Sequence, residues 1–125
     1  MPHLYIEYTD NLDIDINRLL SVSQKALLEF PDIIPVGGLR IRAVKHTDYI
    51  IADGQANDGF VHLILKLGAG RTETVKVEIT QHLFDAVSNA LDEVFESQSI
   101  ALSLELHEFM HPTLKRNNIH ERFKK

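Results

Sequence analysis

The sequence predicts an α/β (α+β) fold in which one β-α-β unit occurs twice in tandem, giving a four-stranded sheet with two helices on one face. Three observations lead there. Four segments alternate with a period of two, and two longer segments carry apolar residues near a period of 3.6. The stretch "HLYIEYTDN" at 3–11 also echoes "HLILKLGAG" at 62–70, and each runs directly into a helical pattern. With 125 residues the chain is expected to form a single domain, 1–125, with pseudo-repeats at about 2–47 and 60–109.

In chain order, "HLYIEY" sets Leu4, Ile6 and Tyr8 against His3, Tyr5 and Glu7, as a strand with one apolar side does. A helix is expected from about 13 to 29, where Ile16, Leu19, Leu20, Ala26, Leu27 and Phe30 follow a helical period, with Asn11 or Asp10 as its cap. "LRIRAVK" then sets Leu39, Ile41 and Ala43 against Arg40, Arg42 and Val44. The linker "TDYIIADGQANDG" is rich in turn formers. "FVHLILKL" places Val61, Leu63, Leu65 and Leu67 on one side. The second helix is expected from about 73 to 97, capped by Thr72 or Thr74, with a stripe from Val75 through Leu83 to Phe95. "IALSLEL" closes the second unit.

Right-handed crossovers lay both helices on one face of the sheet. The other face then carries His3, Tyr5, Glu7, Arg42, Phe60, His62, Ile64, Ser103 and Glu105. That mixture is too apolar for open solvent and too charged for a dry core, so a sheet covered by other subunits, with its charges paired, is expected.

The net charge of −5 and the absence of a basic stripe argue against nucleic acid. With no cysteine the chain has neither disulfides nor thiol nucleophiles. No apolar run approaches the roughly 20 residues of a membrane span. Asp10, Asp13 and Asp15 stand where a signal peptide would be basic and then apolar, so a soluble, cytoplasmic protein is expected.

"HEFMH" at 107–111 matches the zinc-peptidase pattern, which needs both histidines on one helical face. The period before His107 is two, and in an extended chain residues four apart lie roughly 13 Å from each other. Pro112 further biases His111 away from helical angles. The motif is read as a coincidence at a strand end, and no metal or cofactor is expected.

The segments "MPHLYIEYTDN", "GGLRIRA", "ADGQANDGFVHLILKLGAGR" and "ALSLELHEFMHPTLKRNNIH" span nearly the whole chain. In these the sequence resembles the 5-carboxymethyl-2-hydroxymuconate isomerases of the tautomerase superfamily. The duplicated unit is also that superfamily's architecture. The resemblance implies a tautomerase-like homotrimer with sites at subunit boundaries. It also implies that Arg40 and Arg71 bind carboxylates of a highly anionic substrate.

Most Met-Pro starts are merely chain ends, but with the full-length resemblance a catalytic Pro2 is favoured, and its chemistry fits. Removal of Met1 frees a rigid secondary amine at the start of a strand, and an α-amino group titrates near 8. Desolvation and nearby cations lower that value, leaving a neutral amine able to take up and return a proton. With Met1 attached, the Pro2 nitrogen is a tertiary amide and has no such basicity. Arg40 and Arg71 sit at element ends, and guanidinium N–H pairs match carboxylates, although a surface ion pair is the usual fate of an arginine. Arg42 faces Glu7 and Glu105 by strand phase, so a structural salt bridge and a substrate contact are equally open.

"GAG" at 68–70 is read as a tight strand-to-helix turn, and His3 and His62 as hydrogen-bonding residues. Phe60, Phe109 and Tyr49 are candidates for an apolar wall. The tail from Lys115 to Lys125 is expected to cover a neighbour or to fray. The expected activity is cofactor-free conversion of a small polycarboxylate dienol to its 2-oxo enone isomer, within hydroxyphenylacetate catabolism. The alternatives are a tautomerase for another 2-hydroxydienoate or an arylpyruvate, or a non-catalytic trimer that binds a carboxylate.

Overall fold

In the computed structural model, which describes residues 1–124, the elements follow the expected order. They are β1 (His3–Thr9), α1 (Ile16–Leu28), a 3-10 turn (Val36–Gly38) and β2 (Arg40–His46). Then come β3 (Gly59–Leu67), α2 (Glu73–Ala90), α3 (Asp92–Ser97), β4 (Ile100–Glu108) and a final 3-10 turn (Ile119–Phe123). The sheet order is β2-β1-β3-β4. Within each repeat the strands are parallel, β1 with β2 and β3 with β4, while β1 and β3 join the repeats antiparallel. The starts of β1 and β2 therefore lie at the same end of the sheet as the finishes of β3 and β4.

Alternation decides which side chains are buried. Leu4, Ile6, Val61, Leu63 and Leu65 are fully buried beneath Leu27, Ile79, Leu83 and Val87 of the two long helices. Every second residue of β3 is in that core, as expected for a central strand covered on one face. Gly59 starts β3 because a Cβ there would collide with the Leu12 side chain.

Local features depart from expectation in three places. The cap of α1 is Asp15, whose Oδ1 accepts the Arg18 N–H at 3.3 Å, and the helix begins later than expected. Asn11 is instead committed to the linker, donating to the Asp58 carbonyl at 2.8 Å. The single helix expected over 73–97 is two, because Leu91 (φ −100°, ψ 5°) leaves helical geometry. The bend keeps both Leu91 and Val94 buried and turns Phe95 outward. At the other end the expected Thr72 cap of α2 is present, its Oγ1 accepting the Val75 N–H at 3.2 Å.

The tail does not fray. It packs on its own chain's Val36–Gly38 turn, with His120 so close to Gly37 that a Cβ there would lie 2.9 Å from the His120 Cα. Lys125 lies outside the described residues. Among the described residues no helix is long and apolar enough to cross a membrane.

Candidate active site

Pro2 is buried at the start of β1, and its carbonyl accepts the Arg40 N–H at 3.2 Å, which sets the β1–β2 register. Directly before it, Met1 lines a cavity of roughly 500 Å³ together with Gly68 and Ala69 from the β3–α2 turn and the stretch from Phe109 to Thr113. Lys115 is part of the same lining. A cavity of this size suits a small ligand. Gly70 closes the turn at φ +104°, a conformation that side chains rarely adopt, and Arg71 follows it, exposed, just before the Thr72 cap.

Topology explains why the tail reaches this cavity. The N–H of Phe109 donates to the Leu67 carbonyl at 2.9 Å, extending the β3–β4 ladder by one step. The chain next becomes fixed at Asn117, whose side-chain amide donates to the Gly37 carbonyl at 2.8 Å, just before β2. Because β1 lies between β3 and β2 in the sheet, the segment joining these two anchors crosses over the start of β1. Lys115 is on that crossing.

Positive charge lies near the terminal amine of Met1. Burial holds the amine below its ordinary value of 8.0, and the charges of Lys115, Arg40 and Arg71 lower it further, in that order. Among the described residues none of these cations has a carboxylate partner. The Arg40 guanidinium donates to the Gly38 carbonyl at 2.8 Å. The surface ion pair that is an arginine's usual fate is therefore not found for Arg40 or Arg71.

Arg42 stands on the helix-free face of the sheet. Its guanidinium lies 3.8 Å from the Tyr5 ring centroid and donates to His3 Nδ1 at 3.2 Å. The salt bridge expected with Glu7 or Glu105 is absent among the described residues, because histidines occupy both carboxylates. His46 meets Glu7 at 3.0 Å, and His62 and His107 meet Glu105 at 3.5 and 3.1 Å. His62 also hydrogen-bonds Ser103 at 2.6 Å. Burial, then the charges of Arg42, Arg40, the terminal amine and Lys66, keep the His3 imidazole below its ordinary value.

The aromatic candidates separate. Phe109 lines the cavity and meets His3 edge-on, with centroids 6.4 Å apart. Phe60 lies at the opposite end of β3 beside His46, and the Tyr49 hydroxyl donates to Asp10 at 2.7 Å, also at the far end. Neither belongs to the site. In the peptidase-like motif, His107 is on β4, Glu108 pairs with Lys76 at 3.0 Å, and His111 lies beyond the strand. Among the described residues no group of three or more His, Cys, Asp or Glu is placed to hold a metal ion. The residue that sequence reasoning missed is Lys115. It stands in "HPTLKRNN", but only the crossing over β1 gives it a place at the amine.

Comparison with known proteins bears on family and fold. The model of the family described as 5-carboxymethyl-2-hydroxymuconate isomerase matches residues 2–123. An Escherichia coli protein described as 5-carboxymethyl-2-hydroxymuconate Delta-isomerase is 35% identical over 128 residues, covering 99% of this chain and 100% of its own. The crystal structure of a 5-carboxymethyl-2-hydroxymuconate isomerase from Deinococcus radiodurans superposes with a TM-score of 0.94 at 45% identity, over 99% of this chain and 95% of its own. A fused 4-OT wild-type symmetric trimer, at 16% identity and a TM-score of 0.62 over 92% of this chain and 93% of its own, shares the fold alone. That fold is the one found in the tautomerase superfamily.

Proposed function

The chain belongs to the 5-carboxymethyl-2-hydroxymuconate isomerase family and is an isomerase, and from that premise we propose that its substrate is the dienol 5-carboxymethyl-2-hydroxymuconate and its base the Pro2 amine. Removal of Met1 moves the terminal nitrogen back by one residue, about 3.8 Å along the chain, to the buried start of β1. The neutral amine takes the proton of the 2-hydroxyl and delivers one to C5. The double bonds shift to give the 2-oxo enone, and the amine returns to its starting state. Arg40 and Arg71 hold carboxylates and stabilise the negative charge that develops on the 2-oxygen. Arg42 acts at one remove, through His3 and Tyr5 beneath the site.

The observation that carries this reading is the chain terminus at a cavity, where Lys115, Arg40 and Arg71, each without a carboxylate partner among the described residues, disfavour a protonated amine. Such surroundings favour a neutral base and an anionic ligand together. The helix-free face supports assembly as a homotrimer, since its histidine–carboxylate pairs are poised for burial against other copies. A cytoplasmic location and a place in hydroxyphenylacetate catabolism complete the proposal.

The test is an ultraviolet assay on tag-free protein whose intact mass shows that Met1 is gone. Loss of the dienol absorbance well above the uncatalysed rate is expected. No acceleration by fully processed protein would reject the substrate, and equal rates with and without Met1 would reject the base.

A further inference from the structure

We infer that Lys115 is a specificity-determining residue of this site, holding the third carboxylate of a tricarboxylate substrate while Arg40 and Arg71 take the other two. The inference rests on the proposed reading of the site and deepens it. A muconate carries two carboxylates and the carboxymethyl arm adds another, so the substrate presents three negative groups. Three cations lower the pKa of the Met1 amine, Lys115 and then Arg40 and Arg71, and of these Lys115 lines the cavity beside it.

Position supports the match. Lys115 and Met1 line one cavity, so Lys115 stands beside the chain end at which removal of Met1 frees the Pro2 nitrogen. The tail is pinned on both sides of Lys115, at Phe109 on the Leu67 carbonyl and at Asn117 on the Gly37 carbonyl. The crossing over β1 is thus a strap tied at both ends, with Lys115 two residues from the Asn117 anchor. Lys115 is exposed and, among the described residues, pairs with no carboxylate in a chain of net charge −5.

The types of cation also sort with the types of carboxylate. The two muconate carboxylates are conjugated with the diene and lie in its plane, where the flat fork of a guanidinium fits. The third carboxylate hangs from the tetrahedral methylene of the carboxymethyl arm and swings out of that plane. A compact ammonium on a flexible stem can follow it, as a rigid fork cannot.

The test compares Lys115→Met with wild type, both with Met1 removed, on the tricarboxylate dienol and on the dicarboxylate 2-hydroxymuconate. At a pH above the acid limb, where the amine is neutral in both proteins, KM for the tricarboxylate should rise roughly tenfold or more, as loss of one charge-assisted contact implies, with kcat within about twofold. For the dicarboxylate, KM should stay unchanged, and Lys115→Arg, which keeps the charge but not the compact ammonium, should recover only part of the loss. An unchanged KM for the tricarboxylate, or an equal rise for both substrates, would overturn the inference. If wild type turns over neither substrate, the proposed function has failed instead, and calorimetry takes over as the test. Tricarballylate should then bind the Met variant roughly tenfold more weakly than wild type while glutarate binds both alike, and equal tricarballylate affinities would overturn the inference.

Discussion

The side chain of Asn117 closes on the backbone of Gly37: its amide nitrogen donates to the Gly37 carbonyl at 2.8 Å while its oxygen accepts the Ile119 N–H at 2.7 Å. One residue thereby fastens the tail to the turn that leads into Arg40. The fit is tight, since a methyl group on Gly37 would meet the His120 backbone. Gly37→Ala should lower stability by about 1–2 kcal/mol in chemical denaturation, within the usual cost of overpacking. It should also expose the tail to limited proteolysis and raise KM. A protease-resistant tail in this variant would show that the clamp is dispensable.

Replacing Pro2 by Ala leaves a primary amine in a less rigid setting. The folded protein should persist, because the Pro2 carbonyl, not its ring, makes the bond to Arg40. Turnover should fall by roughly 10²–10⁴-fold, the range expected for loss of a positioned acid–base group. Circular dichroism and kcat on mass-verified protein check both halves. Wild-type turnover would defeat the assignment of the base.

The pH profile tests Arg71. A neighbouring cation makes a protonated amine more costly, the direction that Arg71 gives the Met1 amine, and the Pro2 amine freed by removal of Met1 is expected to feel the same charge. Arg71→Ala removes that cost, so the pKa of the amine rises. The acid limb of kcat/KM should then shift to higher pH, and KM should increase about tenfold. If neither the limb nor KM moves, Arg71 is not part of the site.

His3 reports on Arg42 by the same logic. The Arg42 guanidinium faces His3 Nδ1 at 3.2 Å, and its charge is the largest contribution after burial to the lowered His3 value. Arg42→Met should therefore raise the His3 pKa, read from its ring proton shifts in an NMR titration. The cavity lies beyond this pair, so kcat should change less than in Pro2→Ala. An unmoved His3 titration would mean that solvent screens the contact.

Much of this was legible in the chain because local patterns carry it. The alternation in "FVHLILKL" fixed which face of β3 is buried, and the run after Thr72 fixed where α2 begins. Boundaries were less legible where side chains compete for partners. Asn11 has the chemistry of a cap, but its amide goes to the Asp58 carbonyl, 47 residues away, and Asp15 caps instead. Nothing near Asn11 in sequence signals that choice. Leu91 likewise fits a continuous helical stripe, and only the shape of the core beneath Leu91 and Val94 explains the bend.

By itself the sequence determined the duplicated β-α-β pattern and the buried faces, which follow from periodicity, while the roles expected of Pro2, Arg40 and Arg71 came from their chemistry together with the family resemblance. The tertiary structure decided what those groups meet. It put histidines, not Arg42, on Glu7 and Glu105, and it sent Phe60 and Tyr49 to the far end of the sheet. It also drew the tail across the start of β1, which brought Lys115 to the amine. The physical reason is the order of strands. A segment that leaves β3 and β4 and lands before β2 must pass over β1, and strand order is a property of the folded sheet that no local spacing encodes.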